Sequence, residues 1–158
     1  DILGLPRIVS DADDIDWLLR ALNSPANGVT LCAGSLGANP KNDVPAIARR
    51  FADRIHFAHL RNVRKDLDGS FEEAAHLSGD TDMVDLVAAL LEEEGRRRDA
   101  GRADCEIPFR PDHGHELLDD AGRDTHPGYP LIGRMRGLAE LRGVIAGLSY
   151  GRHQYFQR

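Results

Sequence analysis

At 158 residues the chain can bury one core but is short for two domains, and 41% hydrophobic with 29% charged residues is an ordinary soluble composition. The net charge of −6, with acids and bases interspersed, leaves no nucleic-acid footprint; the run Gly95-Arg96-Arg97-Arg98 is bracketed by acids and reads as a solvated helix end, where positive charge suits the dipole. No apolar segment approaches the roughly 20 residues a membrane helix needs and no signal peptide is visible; two cysteines make no disulfide framework, so a reducing cytoplasm is the expected setting.

In chain order, Pro6-Arg7-Ile8-Val9 reads as a short strand, and Ser10 with Asp11, Asp13 and Asp14 opens a helix whose apolar face is Ile15, Leu18, Leu19 and Leu22. Asn23 to Gly28 is a turn. Val29-Thr30-Leu31-Cys32 is a strand running into a flexible loop, Ala33 to Gly37. Asp43 caps a helix carrying Val44, Ile47, Ala48 and Phe51, and the next strand runs from Ile55 to Val63. After a polar loop, Asp80 or Thr81 caps a helix bearing Met83, Leu86, Val87, Leu90 and Leu91. Ile107-Pro108-Phe109 begins a fourth strand, and a last helix over about 131–148 buries Leu131, Met135, Leu138, Leu141, Ile145 and Leu148.

Four strands, each followed by a helix, predict an α/β fold with a parallel sheet and right-handed crossovers. A small doubly wound sheet and half of an eight-stranded barrel both fit that order. The stretch Ala33-Gly34-Ser35-Leu36-Gly37-Ala38 has only two glycines, at the wrong spacing for a dinucleotide-binding turn.

In parallel α/β folds the chemistry gathers at the carboxyl ends of the strands. Cys32, His59 with Arg61, and Asp112 with His113 fall there, the last two inside the crowded stretch Phe109-Arg110-Pro111-Asp112-His113-Gly114-His115-Glu116. Each has an ordinary explanation alone: a core cysteine, a satisfied strand histidine, an aspartate capping a turn. At three consecutive strand ends they predict a metal site. A thiol, an imidazole and a carboxylate together suit Fe²⁺, Mn²⁺ or Zn²⁺ better than Mg²⁺ or Ca²⁺. His113, beside a ligand but aimed elsewhere, is free for proton transfer; His115 reads equally as a supporting group or a surface residue.

Several stretches together resemble one family: ILGLPRIVS (2–10), LCAGSLGA (31–38), HFAHLRNV (56–63), FEEAAHLSGDTDM (71–83), FRPDHGHELLDD (109–120) and HPGYPLIGRMRGLAELRG (126–143). These are similar to the mannonate dehydratases, hydro-lyases that convert D-mannonate to 2-dehydro-3-deoxy-D-gluconate in hexuronate (glucuronate) catabolism. The resemblance implies a (β/α)₈ barrel related to the xylose-isomerase-like enzymes, using Mn²⁺ or Fe²⁺ and homo-oligomeric at full length. It implies Cys32, His59 and Asp112 as metal ligands and His113 and Tyr129 as catalytic groups. The family's first metal-binding histidine, in a His-Pro-Asp-Asp segment, has no counterpart here, and the chain starts at Asp1 rather than Met. Residues 1–158 are therefore expected to be one domain, the carboxyl-terminal half of a barrel with about four βα units. Its open strand edges would pair with themselves or with the absent half.

The expected dehydration assigns further roles. Arg61 would hold the substrate carboxylate, or close a salt bridge inside the barrel; His76 would reach a substrate hydroxyl, or stand exposed in its loop. His56 would pack between sheet and helix. Two alternatives stay open: another sugar isomerase or epimerase on the same barrel, and a non-catalytic remnant serving as a binding module.

Overall fold

Aspartates start the helices of this chain. The computed structural model describes residue 4 and residues 8–155. Asp11 opens α1 (Ala12–Ala21) by accepting from the N–H groups of Asp13 and Asp14, and the Ser10 N–H returns a bond to the Asp14 carboxylate. Ile15 and Leu19 of its apolar face are buried, whereas Leu18 and Leu22 stay exposed. Of the expected strand at 6–9, Pro6 and Arg7 lie outside the described residues, and Ile8 and Val9 form a bend.

β1 (Val29–Cys32) forms as expected, but the loop after it is a short helix, α2 (Ala33–Gly37). Its small residues make this possible: a Cβ on Gly34 would collide with the Arg61 side chain, which crosses directly over it. Asp43 caps α3 (Val44–Arg50) by accepting the Ala46 N–H, and Pro45 takes an early position where no donor is needed.

The expected long strand divides. β2 (Ile55–His59) ends at the histidine, and Val63–Lys65 becomes β3, pairing antiparallel with β4 (Phe71–Glu73) in a hairpin the sequence reading did not foresee. Buried Asn62 makes the break: its amide donates to the carbonyls of His76 and Thr81 and accepts from the N–H groups of Val63 and Thr81. The next helix, α4 (Met83–Asp99), is capped by Asp82 rather than Asp80 or Thr81. Asp80 is already engaged by the backbone and ammonium of Lys65, and Thr81 by Asn62.

The short strand β5 (Phe109–Arg110) completes a three-stranded parallel sheet in the order β1-β2-β5. Leu31, Ile55, Ala58 and Leu60 from the strands meet Ile47, Leu86, Val87 and Leu90 from α3 and α4 in one apolar core. Each such side chain is worth about 1.5–3 kcal/mol when fully buried. α5 (Leu131–Tyr155) closes this layer with Leu141, fully buried, and with Ile145 and Leu148. The rest of its expected stripe, Leu131, Met135 and Leu138, faces outward.

The α4 basic run is also not uniformly solvated. Arg97 is 1% exposed. Its guanidinium pairs with buried Glu93 at 2.9 Å and donates to the carbonyls of Ala52, Ile55 and Asp104, tying the helix end to the start of β2. Among the described residues no helix is long and apolar enough to cross a membrane.

Candidate metal centre and proton-transfer pair

The strand register brings the first ligands together. In the parallel pairing Cys32 lies opposite His59, and His59 opposite Arg110. Asp112 follows two residues beyond β5 with φ 64, left-handed backbone that costs a non-glycine residue about 1–2 kcal/mol. The turn is held from both sides: the Arg134 Nε–H donates to the Asp112 carbonyl at 2.9 Å, and His76 Nε2 donates to the Pro111 carbonyl at 3.0 Å. One ligand atom each from Cys32, His59 and Asp112 then lies within 4.8 Å of the others.

These three residues fit a metal ion. Asp112 is 5% exposed, and its Oδ1 is fully enclosed with no donor aimed at it. The Arg110 guanidinium stands 2.8 Å from that oxygen, but off the axis a hydrogen bond requires. That buried oxygen therefore has a neighbouring charge but no in-line partner, and a metal ion is a group that would complete it. Burial lowers the His59 pKa; Asp112, with Oδ2 3.6 Å from His59 Nδ1, opposes this, while Arg110 and His113 reinforce it. The net shift leaves the ring neutral at physiological pH, with a lone pair for coordination. Cys32 and Cys105 are both free thiols.

His113 and Tyr129 flank this centre. Their ring centroids are 4.5 Å apart, and His113 Nε2 lies 3.9 Å from Asp112 Oδ2. Tyr129 is steadied by the Arg134 guanidinium, 5.3 Å from its ring centre, and by the edge of His126. Gly128 allows the approach: it adopts φ 80, and a Cβ there would sit 2.5 Å from His113 Nδ1.

Cys32, His59 and Asp112 thus gather within 4.8 Å of one another, His113 stands beside Asp112, and Tyr129 packs on His113. The other two expected groups are engaged differently. Arg61 forms a two-pronged salt bridge with Glu73, so of its two readings the internal ion pair is the one present. His76 is not an exposed loop residue: it is 1% exposed, with its ring packed flat against Gly137 of α5. With Nε2 spent on Pro111, it supports the Asp112 turn rather than facing a substrate. His115 reaches the Glu73 carbonyl, and His56 the Pro25 carbonyl. The residue the sequence reading missed is Glu73, whose carboxylate contacts Arg61 and His113 together.

The fold and the donor set define a class: part of a (β/α)₈ barrel with a mixed sulfur, nitrogen and oxygen site at its strand ends. More particularly, the chain belongs to the D-mannonate dehydratase (UxuA) family, whose sequence profile matches residues 1–155. It is 60% identical over 152 residues to the mannonate dehydratase of Rhizobium meliloti, covering 94% of this chain and 38% of that protein. To the mannonate dehydratase of Saccharophagus degradans it is 57% identical over 155 residues, covering 98% of this chain and 39% of the relative. The chain therefore spans somewhat over a third of the length of these relatives. The crystal structure of mannonate dehydratase from Streptococcus suis serotype 2 superposes with a TM-score of 0.81 at 34% identity, covering 95% of this chain and 40% of that one. A xylose isomerase domain protein from Planctomyces limnophilus, at 16% identity and a TM-score of 0.57 over 88% of this chain and 43% of that one, shares the fold.

Proposed function

We propose that this segment carries metal-binding and proton-transfer groups for the dehydration of D-mannonate to 2-dehydro-3-deoxy-D-gluconate, a step of hexuronate (glucuronate) catabolism. The observation that supports it best is the convergence of Cys32, His59 and Asp112 within 4.8 Å beside the His113–Tyr129 pair, in a chain of this family. Cys32, His59 and Asp112 would hold the ion, Mn²⁺ or Fe²⁺. Bound there, it supplies Lewis-acid stabilisation for negative charge developing on the substrate. The family resemblance adds a histidine ligand from a segment with no counterpart in these 158 residues. A reducing cytoplasm would keep Cys32 available as a ligand, and the full-length enzyme would be a homo-oligomer.

The reaction removes the proton at C2 and expels the hydroxyl at C3 as water. His113 and Tyr129 divide those two proton transfers, one receiving and one donating. Arg110, half-exposed with its guanidinium beside Asp112, is the cation placed to meet the substrate carboxylate now that Arg61 is committed to Glu73.

The test grafts this segment in place of the matching 152 residues of the Rhizobium meliloti relative and supplies Mn²⁺ and D-mannonate. Formation of the 2-keto-3-deoxy acid is expected. A folded, metal-loaded graft that forms no such product, or that instead isomerises sugars in a parallel panel, overturns the reading.

A further inference from the structure

We infer that Glu73 is the positioning residue for His113, fixing which ring nitrogen carries the proton and thereby making His113 the proton acceptor. The inference rests on the dehydratase reading above and deepens it. Glu73 ends β4, on the hairpin rather than on the parallel sheet, and its Oε1 lies 2.7 Å from His113 Nδ1. The carboxylate is itself immobilised: Arg61 donates to Oε2 from Nε at 2.9 Å and to Oε1 from its terminal nitrogen. His115 Nδ1 binds the Glu73 carbonyl at 3.2 Å, so the backbone is held as well. At that same Nδ1 end, Gly128 leaves the space that lets imidazole and carboxylate meet: a Cβ there would lie 2.5 Å from Nδ1 and 3.3 Å from Glu73 Oε1.

A carboxylate paired with a guanidinium can only accept, so the hydrogen bond places the proton of the neutral imidazole on Nδ1. Nε2 keeps its lone pair, and Nε2 is the nitrogen on the side of the metal centre, 3.9 Å from Asp112 Oδ2. His113 therefore forms its new N–H bond at Nε2 as the C2–H bond breaks. The released electron pair forms the C2–C3 double bond as the C3–O bond breaks, and the departing oxygen takes the phenolic proton of Tyr129 to leave as water. The enol product then ketonises, and proton exchange returns imidazole and phenol to their starting states.

The experiment uses the graft described above, with Glu73→Ala and Glu73→Gln. An outer partner of this kind is worth roughly 10- to 100-fold in activity. Glu73→Ala should lower kcat by that factor, with KM and bound metal within about twofold of the parent. Glu73→Gln, which keeps an oxygen acceptor for Nδ1, should recover most of the loss. Independently of turnover, ¹⁵N-histidine spectra of the metal-free graft should show His113, assigned with a His113→Asn variant, as the Nδ1–H tautomer. That pattern should be lost in Glu73→Ala. An Nε2–H tautomer in the parent, a kcat within twofold in Glu73→Ala, or a loss confined to KM overturns the inference. If Glu73→Ala does not fold, Glu73→Gln and the parent spectrum still decide it. A parent graft without dehydratase activity sinks the dehydratase reading instead, while the tautomer measurement stands by itself.

Discussion

A single methyl group at position 128 tests the geometry around His113 most directly. Gly128 sits at φ 80 with the imidazole in the space its side chain would fill. Gly128→Ala carries the left-handed penalty of about 1–2 kcal/mol. It also pushes His113 off Glu73. Chemical denaturation should register the first effect and a fall in kcat the second; unchanged kcat would mean the ring needs no such seat. The contrast among site residues is instructive. Cys32, His59 and Asp112 were legible at the strand ends. Cys32 and His59 meet because parallel strands must end together, whereas Asp112 joins them through the turn after β5 that Arg134 and His76 hold. Glu73 was not legible. It lies in an acidic pair on a hairpin, 40 residues from the imidazole it serves, and nothing local in Phe-Glu-Glu marks it. His76 shows the converse: a polar loop neighbourhood suggested exposure, but tertiary packing against Gly137 buried it.

Element boundaries followed competition for the same hydrogen-bonding groups. The sequence offers three consecutive caps for α4, and Asp82 takes the role while the Asp80 carboxylate is held by Lys65. The strand read as continuous from Ile55 to Val63 breaks where Asn62 satisfies backbone groups of Val63, His76 and Thr81, a largely long-range arrangement with no local signature. Where the cap was unambiguous, as with Asp43 at α3, the helix started as expected, although it ends at Arg50, one residue short of Phe51. The misread basic run yields the sharpest prediction at this scale. Replacing Arg97 by Leu leaves Glu93 without its closest partner and removes the guanidinium donor from the carbonyls of Ala52 and Ile55. One-sided loss of a buried ion pair costs about 3–5 kcal/mol. Urea unfolding should show that loss for Arg97→Leu and much less for its solvated neighbour, Arg98→Leu. Equal effects would mean the burial of Arg97 is not what holds the helix end.

For the molecule as a whole, the three proposed ligands come from the ends of β1 and β2 and from the turn after β5, so the unfolded chain presents no preformed site and an ion bound there would favour the folded state. At an ion concentration 100 times its dissociation constant that linkage amounts to about 2.7 kcal/mol. In the full-length graft it corresponds to roughly 3 °C in Tm. Differential scanning fluorimetry of the graft should show the rise with Mn²⁺, its reversal by a chelator, and a smaller rise in Cys32→Ser; an equal rise in that variant would remove the thiol from the ligand set. At this scale the alternation of strands and helices admitted a doubly wound sheet or a half barrel, and it was the family resemblance that selected the barrel. The strand expected at 6–9 was not realised at Ile8 and Val9, since a short apolar run pairs only where a neighbouring strand accepts it.

The interlocked glycines have one more consequence, for how such sequences can be inherited. Gly114 is packed against the backbone of Arg134, Gly128 against His113, and Gly133 against the carbonyl of His115. Each glycine is matched to an atom contributed from the other end of the same stretch. Recombination between diverged relatives that breaks inside residues 113–134 would join a glycine from one parent to a partner from another. Crossovers should therefore survive at the flanks of that stretch, and it should pass between lineages as a single block.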